Sequence, residues 1–111
     1  MRALLRIPLA ILVIASAVPA CAAGDARAGR AKAIACQACH GLDGMSKVPD
    51  APNIAGQVES YLVAQLRAFK AGMRRNEAMS VVASTLSDQD IDNLAAYYGA
   101  IEIKAGKLPG D

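Results

Sequence analysis

Two cysteines and a histidine stand in one short run of the chain: Cys36, Gln37, Ala38, Cys39, His40. This spacing brings two thiols and an imidazole together within one turn of backbone. The set suits covalent attachment of haem, since the thiols can bond the porphyrin edge as thioethers and the adjacent imidazole can ligate the iron. We therefore predict Cys36 and Cys39 as haem-bonding residues and His40 as an axial iron ligand. One such motif predicts one haem c.

Other uses of a CxxC pair suit this chain less well. An exported pair can form a disulfide or a thiol redox site, but a thioredoxin-like site needs a βαβ setting that the sequence pattern does not indicate. A structural zinc site normally has four ligands, and His40 is the only histidine. The pattern favours haem over thiol redox chemistry and over zinc.

The single histidine also means that a different group must fill the sixth position on the iron. That group is a methionine, another donor or none. Met45 follows His40 too closely in sequence to reach the opposite haem face easily. Met73 and Met79 remain, and Met79 is favoured because it stands between two predicted helices, in a segment that can bend toward the iron. Either methionine could instead be core filler, a common role of this residue type. Met73 stays open as the alternative ligand.

The beginning of the chain predicts a cleaved secretory signal peptide. Arg2 and Arg6 precede an apolar run over residues 7–18, and small residues follow it. The run is about a dozen residues, shorter than the roughly 20 that a membrane-spanning helix needs. We expect cleavage after Ala22, with Ala20 and Ala23 as alternative sites, export to the periplasm and no transmembrane segment in the mature chain. A lipid anchor at Cys21 is the less favoured alternative.

Cleavage divides the chain into the signal, 1–22, and a single domain over 23–111. The signal contains two of the 12 basic residues, so 10 remain against 10 acidic ones. Nucleic-acid binding needs a basic surface and, for single strands, stacking aromatics, so this function is excluded. With one phenylalanine and no tryptophan, so small a domain has few large groups for a core, and a large flat cofactor suits that deficit.

The hydrophobic patterns predict an all-α domain. Helical spacing runs over 25–35 and 59–71, and a further helix is expected from Ser87 to about residue 103. Glycine, proline, asparagine and aspartate interrupt residues 41–57, which predicts a structured loop. The short apolar stretch 79–86 is predicted to be turn-rich.

The last helix has the clearest pattern. Ser87 suits the N-cap, and Asp88 and Asp90 follow in the first turn, where the helix dipole favours negative charge. Asp92 and Asn93 are expected to face solvent. The apolar stripe of this helix consists of Ile91, Leu94, Tyr98 and Ile101.

Several motifs in fixed order resemble the class I cytochromes c, in particular small bacterial proteins similar to one domain of the dihaem cytochrome c4. They are GDARAG, CQACHG, PNIAGQ, YLVAQLRAFKAGMR, a methionine before LSDQDI, and LAAYY. The resemblance covers nearly all of the mature chain and implies the class I cytochrome c fold around one haem.

The resemblance also assigns roles to individual residues. It implies axial ligation by His40 and Met79, and a Pro52 carbonyl that accepts a hydrogen bond from His40 Nδ1. It further implies that Gly29 in the first helix meets Tyr97 in the last, where the missing side chain lets two helices cross closely.

Electron transfer is the function that the resemblance implies. Two axial ligands leave no open position on the iron, so the chain is not expected to be an enzyme. It would pass single electrons between redox protein partners through a transient contact at the haem edge, around Gln37, Ala38 and Met45. The alternatives are a haem subunit of a larger dehydrogenase and a haem that loses Met79. The basic cluster is interpreted as a solvated helix face, with steering of an acidic partner or pairing with haem propionates as the alternative: Arg67, Lys70, Arg74 and Arg75.

Overall fold

The computed structural model describes residues 23–110. The predicted signal over 1–22, its cleavage site and Cys21 lie outside the described residues. Within the described part the chain forms five α-helices and one 3-10 turn, and no strand, which confirms the all-α prediction. They are α1 (Ala26–Lys32), the 3-10 turn (Ala33–Ala35), α2 (Gln37–His40), α3 (Glu59–Lys70), α4 (Glu77–Ser84) and α5 (Asp88–Gly99).

Helices α1 and α5 cross closely at Gly29. A Cβ atom at this position would collide with the Asn93 carbonyl and lie 2.8 Å from the Cβ of Tyr97, so only glycine allows this approach. The predicted contact between Gly29 and Tyr97 is confirmed. The Asn93 side chain accepts a hydrogen bond from the Asp25 backbone N–H at 2.8 Å. The prediction that Asn93 faces solvent was therefore wrong, because the residue lies at the crossing.

Two ion pairs join α3 to α5. Arg67 lies 3.2 Å from the Asp92 carboxylate, and Lys70 lies 3.2 Å from Asp88. The Asp92 side chain is only 17% exposed, so the prediction that it faces solvent was also wrong. Arg67 and Lys70, interpreted from the sequence as part of a solvated helix face, are therefore paired with the neighbouring helix.

Helix α4 occupies the stretch predicted to be turn-rich. The Asn76 side chain accepts from the Met79 N–H at 2.9 Å, and the Ser80 hydroxyl accepts from the Asn76 N–H at 3.1 Å. This reciprocal cap starts the helix, and Ala83 is buried on its inner side. Capping by asparagine supplies a partner for amides that the first turn leaves free.

Helix α5 begins as predicted and ends earlier than predicted. Ser87 and Asp90 each accept a hydrogen bond from the backbone N–H of the other, both at 3.0 Å. The Ser87 N–H bond and, less strongly, Lys32 hold the pKa of Asp90 below its ordinary value. The helix stops at Gly99 instead of near residue 103. At this end, the Tyr98 carbonyl accepts a hydrogen bond from the Gly56 N–H at 2.9 Å.

One apolar cluster holds the helices together, and α5 contributes most of it. The buried members of the cluster are Ala33, Leu62, Leu86, Ile91, Leu94, Ala95 and Tyr98.

Among residues 23–110, none of the helices has both the length and the apolar character that a membrane span requires.

Candidate haem site

A cavity of about 870 Å³ opens between α3, α4, α5 and the loop that follows α2. Its size is within the range of roughly 300–1,000 Å³ that is typical of ligand pockets. The five predicted site residues all line it: Cys36, Cys39, His40, Pro52 and Met79. Apolar side chains form much of the remaining wall, among them Leu62, Leu66, Phe69, Val82, Leu86 and Leu94.

The two thiols lie on a single turn at one end of this cavity. The Cys36 carbonyl accepts from the Cys39 N–H at 3.3 Å and from the His40 N–H at 3.0 Å, which closes the turn. Both thiols are free. Cys36 is half-buried and Cys39 is exposed. Burial raises the pKa of the Cys36 thiol, and the charge of Lys32 opposes that increase.

His40 is the buried polar residue of the site, with 7% of its surface exposed. Its Nδ1 lies 2.9 Å from the Pro52 carbonyl oxygen. Since a carbonyl can only accept, Nδ1 is the donor in this contact, which leaves Nε2 as the nitrogen available to a metal. A histidine ligand commonly has its second ring nitrogen held in this way.

Two tyrosine hydroxyls from α5 hold the backbone directly after His40. Tyr98 donates to the Gly41 carbonyl at 3.0 Å, and Tyr97 donates to the Leu42 carbonyl at 2.6 Å. Sequence reasoning placed Tyr98 in the apolar stripe and missed both hydrogen bonds. The available signal was the hydroxyl itself, because a buried tyrosine usually bonds its O–H to a partner.

Met79 lies in the first turn of α4 and is half-buried. The rival methionine, Met73, has 85% of its surface exposed and does not line the cavity. Of the two candidates that the sequence left open, Met79 is therefore the one that shares the cavity wall with His40.

The basic cluster divides into two parts. Arg67 and Lys70 are paired with acidic residues of α5, whereas Arg74 and Arg75 line the cavity. The Arg74 guanidinium lies 4.5 Å from the centre of the Phe69 ring and donates to Gln65 Oε1 at 2.6 Å. Stacking and hydrogen bonding of this kind fix an arginine head group at the mouth of the site.

An all-α domain with a CxxCH turn on the wall of an apolar cavity has the architecture of a c-type cytochrome. Comparison with known proteins supports this class. The family model described as Cytochrome c matches residues 26–99. The chain belongs to the cytochrome c family, and the predicted resemblance to class I cytochromes c is confirmed.

Individual relatives show how far the likeness extends. The chain is 47% identical over 85 residues to cytochrome c4 of Pseudomonas aeruginosa, an alignment that covers 77% of this chain and 42% of that protein. It is 46% identical over 83 residues to cytochrome c-554(548) of Halomonas halodenitrificans, covering 72% of this chain and 100% of that protein. The crystal structure of reduced recombinant cytochrome c4 from Pseudomonas stutzeri matches with a TM-score of 0.67 and 43% identity, over 72% of this chain and 47% of that one. The chain thus spans less than half the length of these cytochromes c4.

Haem c with its iron is the cofactor of the family, and the residues of this chain fit it. Two free thiols on one turn can bond the macrocycle, and the Nδ1 contact of the imidazole leaves Nε2 available to the iron. The cavity has the volume and the apolar walls that a large flat ligand requires. Members of this family are electron carriers that exchange electrons with redox partners.

Proposed function

We propose that this chain is a periplasmic monohaem cytochrome that carries single electrons between redox proteins and catalyses no reaction of its own. The observation that supports this most strongly is the shared cavity wall of the CxxCH turn and Met79. Cys36 and Cys39 would hold the haem through thioether bonds, and His40 and Met79 would be the axial ligands. When bound, haem c supplies an iron that gains or loses one electron.

The protein groups around the iron set how readily that electron is held. The Pro52 carbonyl, 2.9 Å from His40 Nδ1, fixes the imidazole ring and raises its basicity. The neutral thioether of Met79 favours the reduced iron, and apolar walls act in the same direction because they solvate the extra charge of ferric iron poorly. We expect a positive reduction potential and no open coordination position for a substrate.

Export and partner docking complete the proposal. The residues before the domain have the pattern of a signal peptide, which supports a periplasmic location. A lipid anchor at Cys21 finds no support in the comparisons and is not part of the proposal. Gln37 and Ala38 on the attachment turn and Met45 beside it are exposed, as a small transient electron-transfer interface requires.

A second candidate function is an electron-transfer subunit of a larger dehydrogenase. Two relatives favour it. The thiosulfate dehydrogenase electron acceptor of Thiomonas intermedia is 41% identical over 80 residues, covering 70% of this chain and 36% of that protein. A thiosulfate dehydrogenase structure from Marichromatium purpuratum matches with a TM-score of 0.64 and 33% identity, over 78% of this chain and 21% of that one. Gel filtration from the native source separates a free carrier from a subunit.

The decisive experiment compares reduced and oxidised absorption spectra of the wild type and two methionine variants. Met79→Ala is expected to lose the iron–methionine absorption and to bind carbon monoxide in the reduced state. Met73→Ala, the matched control, is expected to keep that absorption and to resist carbon monoxide like the wild type. Loss in Met73→Ala together with retention in Met79→Ala would reverse the axial assignment.

A further inference from the structure

Tyr98 is bonded to two separate segments that support His40. Its hydroxyl donates to the carbonyl of Gly41, the residue after His40, at 3.0 Å. Its own backbone carbonyl accepts from the Gly56 N–H at 2.9 Å, in the segment that carries Pro52. One residue of α5 therefore holds both the backbone beside the imidazole and the loop that supplies the imidazole's hydrogen-bond acceptor.

The hydrogen bond from His40 to Pro52 depends on how these two segments are placed. His40 ends α2, and its position follows the backbone at Gly41, which has a positive φ of 73°. Pro52 belongs to a loop whose later residues, Ile54 and Ala55, bond the Gly44 carbonyl at 2.8 and 3.1 Å. Those bonds join the loop to itself. The bonds of Tyr98 join it to the core.

We infer that the Tyr98 hydroxyl is a positioning group for the axial imidazole, because it fixes the geometry in which His40 Nδ1 donates to Pro52. Tyr98 acts through Gly41 and does not ligate the iron. The inference rests on the proposed function in one respect, which is that His40 ligates the haem iron.

The surroundings of the hydroxyl suit this role. Tyr98 is 3% exposed and Gly41 is buried, so the hydroxyl and the carbonyl are both shielded from water. Burial, with smaller contributions from Cys36, Tyr97 and Asp43, raises the pKa of the phenol above its ordinary value. The hydroxyl consequently keeps its proton and stays a donor. The ring packs in the apolar cluster, and phenylalanine at this position would retain that packing.

The test compares haem-loaded wild type, Tyr98→Phe and Tyr97→Phe. Tyr97→Phe is the matched control because it deletes a hydroxyl on the same helix that bonds Leu42, one residue farther from His40. Two properties are measured in each protein: exchange of the His40 Nδ1 proton with solvent, by NMR of the reduced form, and the reduction potential.

In Tyr98→Phe we expect the Nδ1 proton to exchange about tenfold faster, a factor that corresponds to about 1.4 kcal/mol and lies within the usual range for one lost hydrogen bond. The reduction potential should rise. An imidazole whose Nδ1 donates a weaker hydrogen bond to Pro52 is less basic and therefore stabilises ferric iron less. In Tyr97→Phe both changes should be clearly smaller. Equal exchange and potential in wild type and Tyr98→Phe would overturn the inference.

A measurement on the wild type keeps the inference testable if Tyr98→Phe does not load haem. The Tyr98 hydroxyl proton should exchange slowly and show a nuclear Overhauser effect to the Gly41 Cα protons, and its absence would contradict the inference. The same spectra test the proposed function separately. His40 ring protons without a haem ring-current shift would refute iron ligation whatever the tyrosine variants show.

Discussion

The two sides of the cavity are held in different ways. On the His40 side, hydrogen bonds reach far along the chain, from Tyr97 to Leu42 and from Tyr98 to Gly41. On the Met79 side, the cap of α4 is local, since Asn76 bonds Met79 and Ser80 within the same turn. Of the two proposed ligands, His40 is therefore held by contacts distant in sequence, and Met79 lies on a short, locally capped helix.

The two proposed ligands should therefore respond to different perturbations. Damage to the loop after His40 should affect the whole domain, because that loop is bonded to α5. Damage to the start of α4 should affect chiefly the proposed bond between Met79 and the iron.

Removing both attachment thiols should have the largest effect and should involve both sides of the cavity. In the double variant Cys36→Ser, Cys39→Ser, covalent haem should be absent and the apolar cavity wall should face water, so we expect loss of a cooperative thermal transition in circular dichroism. Small domains commonly depend on such a cofactor for stability. Met79→Ala, which keeps the thioethers, should retain the transition. A cooperative transition in the double variant would contradict the expectation.

Gly44 and Gly72 allow the same substitution to be compared on the two sides. Both have positive φ, 70° and 74°. A Cβ at Gly44 would lie 2.7 Å from the Ala55 backbone, whereas nothing lies within 4 Å of one at Gly72. Gly72→Ala should lower the unfolding free energy by roughly 1–2 kcal/mol, because alanine is strained in the left-handed backbone conformation. Gly44→Ala should lower it by roughly 2–5 kcal/mol, because the steric overlap of its Cβ with the Ala55 backbone adds to the same strain.

Denaturant unfolding of the holoproteins measures both costs. Equal losses for the two alanine variants would show that the loop after His40 adjusts easily, and the proposed contrast between the two sides would fail.

Capping variants test whether the α4 cap protects the methionine ligand. Asn76→Ala removes the partner of the Met79 N–H, at a cost of about 1 kcal/mol. We expect cyanide to bind oxidised protein about fivefold faster, which is the factor this energy corresponds to. Ser87→Ala removes the matching cap of α5 and should lower stability by a similar amount without changing cyanide binding. The same acceleration in both variants would indicate global loosening.

Acid should produce the smallest effect, in the loop after His40. The Met45 N–H and then Lys47 hold the pKa of Asp43 below its ordinary value. A depressed folded pKa means that the ionised carboxylate stabilises the loop above the unfolded pKa, and that this contribution is lost as pH falls through the folded value. The Met45 amide resonance should titrate with a midpoint below about 3.9, the ordinary value for aspartate. Asp43→Asn should abolish this titration, and a midpoint above 3.9 would contradict it.

Local patterns predicted the parts of the fold that local chemistry determines. The Ser87 cap, the span of α3 and the close crossing at Gly29 followed from residue types and resemblance. Helix α4 was missed, because the prediction treated 79–86 as a short, apolar and turn-rich stretch and did not include the Asn76 cap that starts the helix. The early end of α5 falls at Gly99, a residue type common at helix ends, and coincides with a hydrogen bond from the distant Gly56 to Tyr98.

The candidate site likewise has features that local sequence predicts and features that depend on distant contacts. The residue types and their spacing predicted the thiols and the imidazole. The residues and the resemblance favoured Met79 over Met73, and the tertiary structure adds that Met79 lines the cavity whereas Met73 is exposed. The tyrosine hydroxyls that bond Gly41 and Leu42 come from the far end of the domain, so no pattern around His40 could indicate them.

The bonds from α5 to the backbone after His40 also constrain the order in which the domain assembles. Tyr98 and Gly41 are separated by 57 positions, so their bond closes a loop that includes most of the domain. In the proposed export the amino-terminal part would emerge first, and until α5 followed, the segment with both thiols would lack these anchors. Haem attachment at that stage would meet cysteines not yet held by α5, and the arrival of the last helix would then close the domain around the new core.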